Sequence, residues 1–265
     1  MDQSPERGVL APEARDLEGL AEELEDGLVL LKEGEVAGYV CLYPFWDRAA
    51  LEGQLAYGEE DLPPLLEAAE GRAREVEVER LYAFPREENR VLRQVLEEAG
   101  FGLLHVTYFF VKRPEGLDHP APEGVRVEEG FPGAGVYREL YRESEESWAL
   151  RLRWTDEELE EHFQDPAVHL LVAYLKGVPV GLAEVELEGG EASVAYIGVV
   201  PEARGKGIGR TLLSEAAKLA RRKGADLLRV RAHDHEKGAL DLYRSLGFSL
   251  EEAVATYAKE LKARR

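Results

Sequence analysis

Residues 201–213, PEARGKGIGRTLL, pack three glycines and three cations where an apolar, strand-like run gives way to a helical one. A strand, a glycine-rich turn and a helix make an anion site. The first N–H groups of a helix lack intrahelical acceptors, and the helix dipole places partial positive charge there. Gly205, Gly207 and Gly209 let backbone approach a phosphate with no Cβ in the way. Arg204, Lys206 and Arg210 offer charge-assisted contacts. Spacing excludes two owners of such a turn. The loop G-x-x-x-x-G-K-[ST] of nucleoside triphosphatases is absent. The dinucleotide fingerprint G-x-G-x-x-G fails because Arg210 stands at its third glycine. A plain glycine cap without a ligand is the bland alternative.

The interval Arg204-x-x-Gly207-x-Gly209 resembles the [RQ]-x-x-G-x-[GA] signature of the GNAT N-acetyltransferase superfamily. IGVVPEARGKGIG is similar to that family's fourth strand and loop, and ALDLYRSLGF to its later A-x-x-L-Y-x-x-x-G-F helix. In order, these motifs cover residues 124–265. The resemblance implies that the turn holds the pyrophosphate of acetyl-CoA, with Arg204, Gly205, Lys206, Gly207, Ile208, Gly209 and Arg210 as binding residues. It further implies that an acceptor amine attacks the thioester directly in a ternary complex. That chemistry needs a deprotonated amine, a donor for the developing oxyanion and a proton for the departing thiolate. The resemblance assigns the oxyanion donor to the backbone N–H of Val199, a coenzyme contact to Ile197 and the acid to Tyr243. Glu191, thirteen residues before Arg204, is the candidate base; its place beside an EGG turn equally suits a solvated strand-end charge. Glu184, Glu186, His233 and His235 compete for that role, and packing of its helix is the alternative for Tyr243. As a metal pair His233-x-His235 lacks partners at zinc-like spacing, so no metal is expected. The pattern departs from the family at Glu236, where an asparagine is usual.

The elements that must carry these residues follow from periodicity. AVHLLVAYLKG, VPVGLAEVELEGG and EASVAYIGVV read as strands joined by glycine turns. IGRTLLSEAAKLARRKG reads as a helix stopped by Gly224, and TDEELEEHF as one capped by Thr155. LLRVRA, KGALDLYRSLG and EAVATYAKEL add a strand, a helix and a last strand. The class is α/β (α+β), a mixed, mostly antiparallel sheet flanked by helices with one helical crossover.

The order occurs twice. RLYAFPREENRVLRQVLEEAGF (80–101) and LRVRAHDHEKGALDLYRSLGF (228–248) each read strand, loop, helix, Gly-Phe. Superposing Gly100-Phe101 on Gly247-Phe248 sets an offset of 147, which also lays Leu65-Leu66 on Leu212-Leu213 and Lys112 on Lys259. Two tandem GNAT-like domains are expected, residues 1–115 and 122–265, joined at the proline-rich KRPEGLDHPAPEG. At the same offset RGKGIG meets YGEEDL (57–62), whose Glu59, Glu60 and Asp61 repel a pyrophosphate, and Tyr243 meets Leu96. The first copy is therefore expected to be degenerate, without acetyl-CoA binding, and Asn89 to be a turn or cap residue. A tandem with a silent first half is similar to the mycothiol synthases of the family, an architectural likeness that assigns no substrate.

The net charge of −20 is shared unevenly: residues 1–120 hold 12 Lys and Arg against 27 Asp and Glu, or −15, leaving −5 for the rest. Such acidity disfavours nucleic acid and suits a solvated surface or a cationic amine. One asparagine and abundant charge fit a thermophile. The lone cysteine, Cys41, lies in the apolar run GYVCLYPF and reads as a buried structural thiol in a reducing cytoplasm. Neither a secretory leader nor a membrane span is expected. The expected partner is a small amine acceptor, with Tyr137, Tyr141, Trp148 and Trp154 as pocket walls or core. Monomer and homodimer are both compatible with the sequence.

Overall fold

The computed structural model describes residues 27–45, 48–56, 58–144 and 150–261. Its described residues form two compact units. The first takes those up to Tyr108, His233–His235 and those from Glu252 onward; the second takes Phe109–Ala232 and Glu236–Glu251.

In the first unit, β1 (Gly27–Lys32), β2 (Glu35–Phe45) and β3 (Arg48–Ala56) form an antiparallel meander. Helix α1 (Leu62–Glu75) then crosses over to β4 (Arg80–Ala83), parallel to β3. Helix α2 (Arg90–Glu98) and β5 (Gly102–Lys112) follow. Leu62, Leu65, Leu66, Ala69 and Ala73 recur at helical spacing and give α1 one buried face. That face shares a core with Leu92, Val95 and Leu96 of α2. Cys41 is buried on β2. The far end of the chain belongs to this unit as well. Strand β11 (Ser249–Glu260) pairs antiparallel with β4, and its alternate residues Ala253, Ala255 and Tyr257 enter the same core.

The second unit repeats the plan. β6 (Val125–Glu129) leads to α3 (Ala134–Glu143), a 3-10 turn (Leu150–Arg153) and α4 (Asp156–Gln164). β7 (Val168–Leu175), β8 (Val178–Glu188) and β9 (Glu191–Val199) then pair antiparallel in sequence. The β8–β9 turn is Gly189-Gly190 with both φ positive, the backbone that matches strand twist in a two-residue hairpin. α5 (Ile208–Lys223) crosses over to β10 (Leu227–His233), parallel to β9, and α6 (Lys237–Ser245) precedes β11. The strand order is β10-β9-β8-β7-β6. The fold is the mixed, mostly antiparallel sheet with flanking helices that the sequence predicts.

The 147-residue offset recurs in the bounds of several elements. It carries α2 onto α6 from end to end and the first residues of β4 and β5 onto those of β10 and β11. Gly100 and Gly247, the repeated helix stops, both adopt positive φ. The proline-rich connection is tied down rather than a free tether. Arg221 of α5 donates to the Pro114 carbonyl at 2.6 Å and to Asp118 at 2.7 Å, and Leu117 is buried.

Candidate active site

Strands β9 and β10 part company in mid-course. Their parallel register runs Leu227↔Glu191 to Arg229↔Ser193 and stops there. Beyond it, Arg231 on β10 reaches the Ala195 carbonyl only through its guanidinium, at 3.2 Å. The Val200 N–H donates to Val180 on the β8 side. In-plane polar groups alternate along a strand, so the amides of Ile197 and Val199 point the other way, into the gap.

The glycine turn sits at the end of this gap. Gly205 and Gly207 have φ of 74° and 81°, which only glycine adopts without strain. Gly207 is the N-cap of α5 and supplies no side-chain acceptor, so the helix presents its first N–H groups uncapped, with no acid in the first turn. A Cβ on Gly207 would stand 3.1 Å from Pro122. Gly209 has a different role: its missing Cβ makes room for Leu242 of α6, 3.3 Å from where that atom would be. Ile208 is buried. Of the cations, Lys206 donates to the Glu202 carbonyl at 2.7 Å and Arg210 reaches Ser245 Oγ at 3.4 Å. Arg204 folds back, with Nε on the Val199 carbonyl at 3.0 Å and Nη2 on the Ser144 carbonyl at 3.4 Å. In this arrangement its side chain braces the gap strand rather than lining the turn.

Tyr243 on α6 lies against Phe110 and Phe248, and its hydroxyl donates to the Arg231 carbonyl at 3.3 Å. Two residues past the last paired position, that carbonyl is level with the start of the gap. Burial, followed by the charge of Glu236, pushes the phenol above its ordinary range, so it stays protonated at neutral pH.

Glu191 does not join this group. Its carboxylate pairs with Arg229 at the first residue of β9. Six residues at roughly 3.3 Å each separate it from Ile197, about 20 Å of strand. His233 and His235 gather instead with His105 in the first unit; the His105 and His233 rings are 4.1 Å apart and Thr107 Oγ1 bonds His233 Nδ1 at 2.9 Å.

The competing acid, Glu184, is fully buried on β8, opposite Tyr196 of β9. Its Oε1 takes Arg151 Nη2 at 2.5 Å and His162 Nε2 at 2.8 Å, and its Oε2 accepts from Tyr137 at 3.3 Å. Burial drives the carboxyl up, but the His162 hydrogen bond and the Arg151 charge together outweigh it and hold it below its usual range. Arg151 stacks over Trp154, whose ring also meets His162 edge-on. Tyr137 and Tyr141 are buried, so both are core rather than open wall; Trp148 lies outside the described residues. No local signal marks His162 as part of a site, because its partner is 22 residues away on another element.

Among the described residues, the turn of the first unit that matches 204–209 is acidic. Glu59, Glu60 and Asp61 form the turn before α1, and α1 has proline at both of its next positions, Pro63 and Pro64. Proline has no N–H, so two of the donors an anion would use are missing. Leu96 is buried where the second unit has Tyr243.

Residues 127–248, a little under half of the chain, match the acetyltransferase (GNAT) family. A mycothiol acetyltransferase of Thermobispora bispora is 30% identical over 176 residues, 57% of this chain and 57% of that relative's length. A spermidine N(1)-acetyltransferase of Thermoplasma acidophilum is 29% identical over 123 residues, 45% of this chain and 74% of its own. A GCN5-related N-acetyltransferase from Sphaerobacter thermophilus shares the fold over 89% of this chain and 80% of its own, with a TM-score of 0.71 at 20% identity. No helix among the described residues is long and apolar enough to cross a membrane.

Proposed function

We propose that the second unit transfers acetyl from acetyl-CoA to a primary amine of a small molecule, by direct attack in a ternary complex. The observation that carries this reading is the gap between β9 and β10, which ends at an uncapped helix N-terminus. The donor set suits a coenzyme with a pyrophosphate. The amides of the Gly205–Arg210 turn would hold the pyrophosphate, with Lys206 and Arg210 nearby to balance its charge. The gap-facing amides of Ile197 and Val199 are free to bond an extended chain lying along β9 as an added strand would.

The coenzyme supplies an activated acyl group as a thioester. The amine nitrogen bonds to the acyl carbon as the carbon–sulfur bond breaks, the pair returning to sulfur. The Val199 amide stabilises the carbonyl oxygen as it gains charge. Tyr243 is the group placed to donate a proton to the leaving thiolate and is recharged from solvent. The first unit takes no part in holding the coenzyme. Relatives named for mycothiol and for spermidine support an amine acceptor.

Isothermal titration with acetyl-CoA tests the reading first, and micromolar binding is expected. Release of free thiol across a panel of amines tests the transfer. Absence of coenzyme binding up to millimolar would end the proposal, and binding without thiol release from any amine would leave a coenzyme sensor instead.

A further inference from the structure

The acceptor amine must lose a proton, and Glu191 is too far along β9 to take it. The second unit holds a different group on the α3–α4 face of the sheet. Glu184 is level with Tyr196, the residue just before the gap-facing Ile197. Its own basicity is spent, because Arg151, His162 and Tyr137 already occupy both oxygens. His162 is different. Its Nε2 is committed to Glu184, while Nδ1 takes no hydrogen-bond partner among the described residues and the ring keeps 17% of its surface open. A carboxylate fixing one imidazole nitrogen as N–H leaves the other as a lone-pair base and stabilises the imidazolium once it forms.

We propose that His162 and Glu184 form the acid–base dyad of this enzyme: His162 Nδ1 takes the proton from the acceptor ammonium, directly or through one water, and Glu184 positions the ring. This rests on the acetyl-transfer reading above. The ammonium proton passes to His162 and then to solvent, so imidazole and carboxylate are both restored after each turnover. Tyr137 of α3, Arg151 of the 3-10 turn and Glu186 of β8 are the other titratable or charged groups facing the pair, with Tyr141 behind Arg151.

The same atoms invite a metal reading, since His162, Glu184 and Glu186 bring three ligand atoms within 4.8 Å of one another. The cation in that position is already Arg151, 2.5 Å from Glu184 and 3.8 Å from Glu186. A metal ion would have to expel a guanidinium that also stacks on Trp154. The geometry favours proton transfer.

The test is the pH dependence of kcat at saturating acetyl-CoA and amine, measured on the full chain. His162→Gln is expected to lower kcat about 100-fold near neutral pH and to remove the acid limb. Its acetyl-CoA affinity should stay within about twofold of the unsubstituted protein. Glu184→Gln is expected to lower kcat about tenfold with acetyl-CoA affinity within about twofold, because the ring is no longer held by a charged partner. Should Glu184→Gln fail to fold, His162→Gln decides alone, since its ring is partly open. A His162→Gln protein with the original kcat and limb would overturn the dyad while leaving acetyl transfer standing. Failure of the unsubstituted chain to bind acetyl-CoA at all would sink the transfer reading itself.

Discussion

Tyr243 joins a buried ring to a hydroxyl that donates to the Arg231 carbonyl, and burial raises further a phenol already protonated at neutral pH. Tyr243→Phe keeps the packing and removes one O–H. Turnover should fall about tenfold or more while acetyl-CoA affinity stays nearly unchanged, as steady-state kinetics and calorimetry would show. Unchanged turnover would leave Tyr243 as a packing residue. Glu184 makes a stability prediction through its depressed carboxyl. A carboxyl held below its unfolded value of about 4.3 stabilises the fold above that pH and loses the contribution as pH falls through its folded value. Glu184→Gln leaves Arg151 without its buried counter-charge, a loss of roughly 3–5 kcal/mol at neutral pH. Urea unfolding at pH 7 and at a series of lower pH values should show the difference between the two proteins narrowing as pH falls through the depressed folded value. Equal midpoints at pH 7 would contradict the buried ion pair.

Helix α5 shows how an element converts residue types into a site. Gly207 is required twice, for its left-handed φ and for the space taken by Pro122, whereas Gly209 serves packing against α6. Gly207→Glu should strain the cap, place an anion at the helix N-terminus and abolish detectable acetyl-CoA binding by calorimetry. Tight binding retained by that variant would refute the pyrophosphate role. Caps were legible because they act over one turn: Thr155 closes a capping box on α4, Gly224 ends α5 in the left-handed region, and Asn89 caps α2 through Leu92. Asn89→Ala should cost about 1 kcal/mol, read as a lowered thermal midpoint. Glu191 shows where spacing along the chain stops giving position. A thirteen-residue interval is short along the chain, but the extended strand sets Glu191 at the opposite end of β9 from Val199.

At the scale of the molecule, the chain's last strand decides the integrity of its first half. Ala253, Ala255, Tyr257 and Leu261 belong to the first unit's core, and Tyr257 donates to Glu97 at 2.5 Å while accepting from Arg93 at 3.2 Å. Ending the chain at Glu251 should expose that core, raising binding of an apolar dye and abolishing cooperative melting of the first unit. A truncated protein that melts as before would show that β11 is dispensable there. The repeat predicted two copies of one plan, and the elements follow it, yet the offset alone could not say which sheet the final strand would join.

By itself the sequence determined what depends on neighbours along the chain. Helix and strand periods, glycine turns, caps, the 147-residue repeat and the cationic turn at 204–210 all depend on residue types a few positions apart. Tertiary structure alone decided where β9 and β10 separate, that Arg204 turns back on Val199, and that β11 completes the first unit's core. It also brought His162 to Glu184. Those outcomes depend on strand register and on which buried charge finds a counter-charge, and both are settled by packing between segments far apart in the chain.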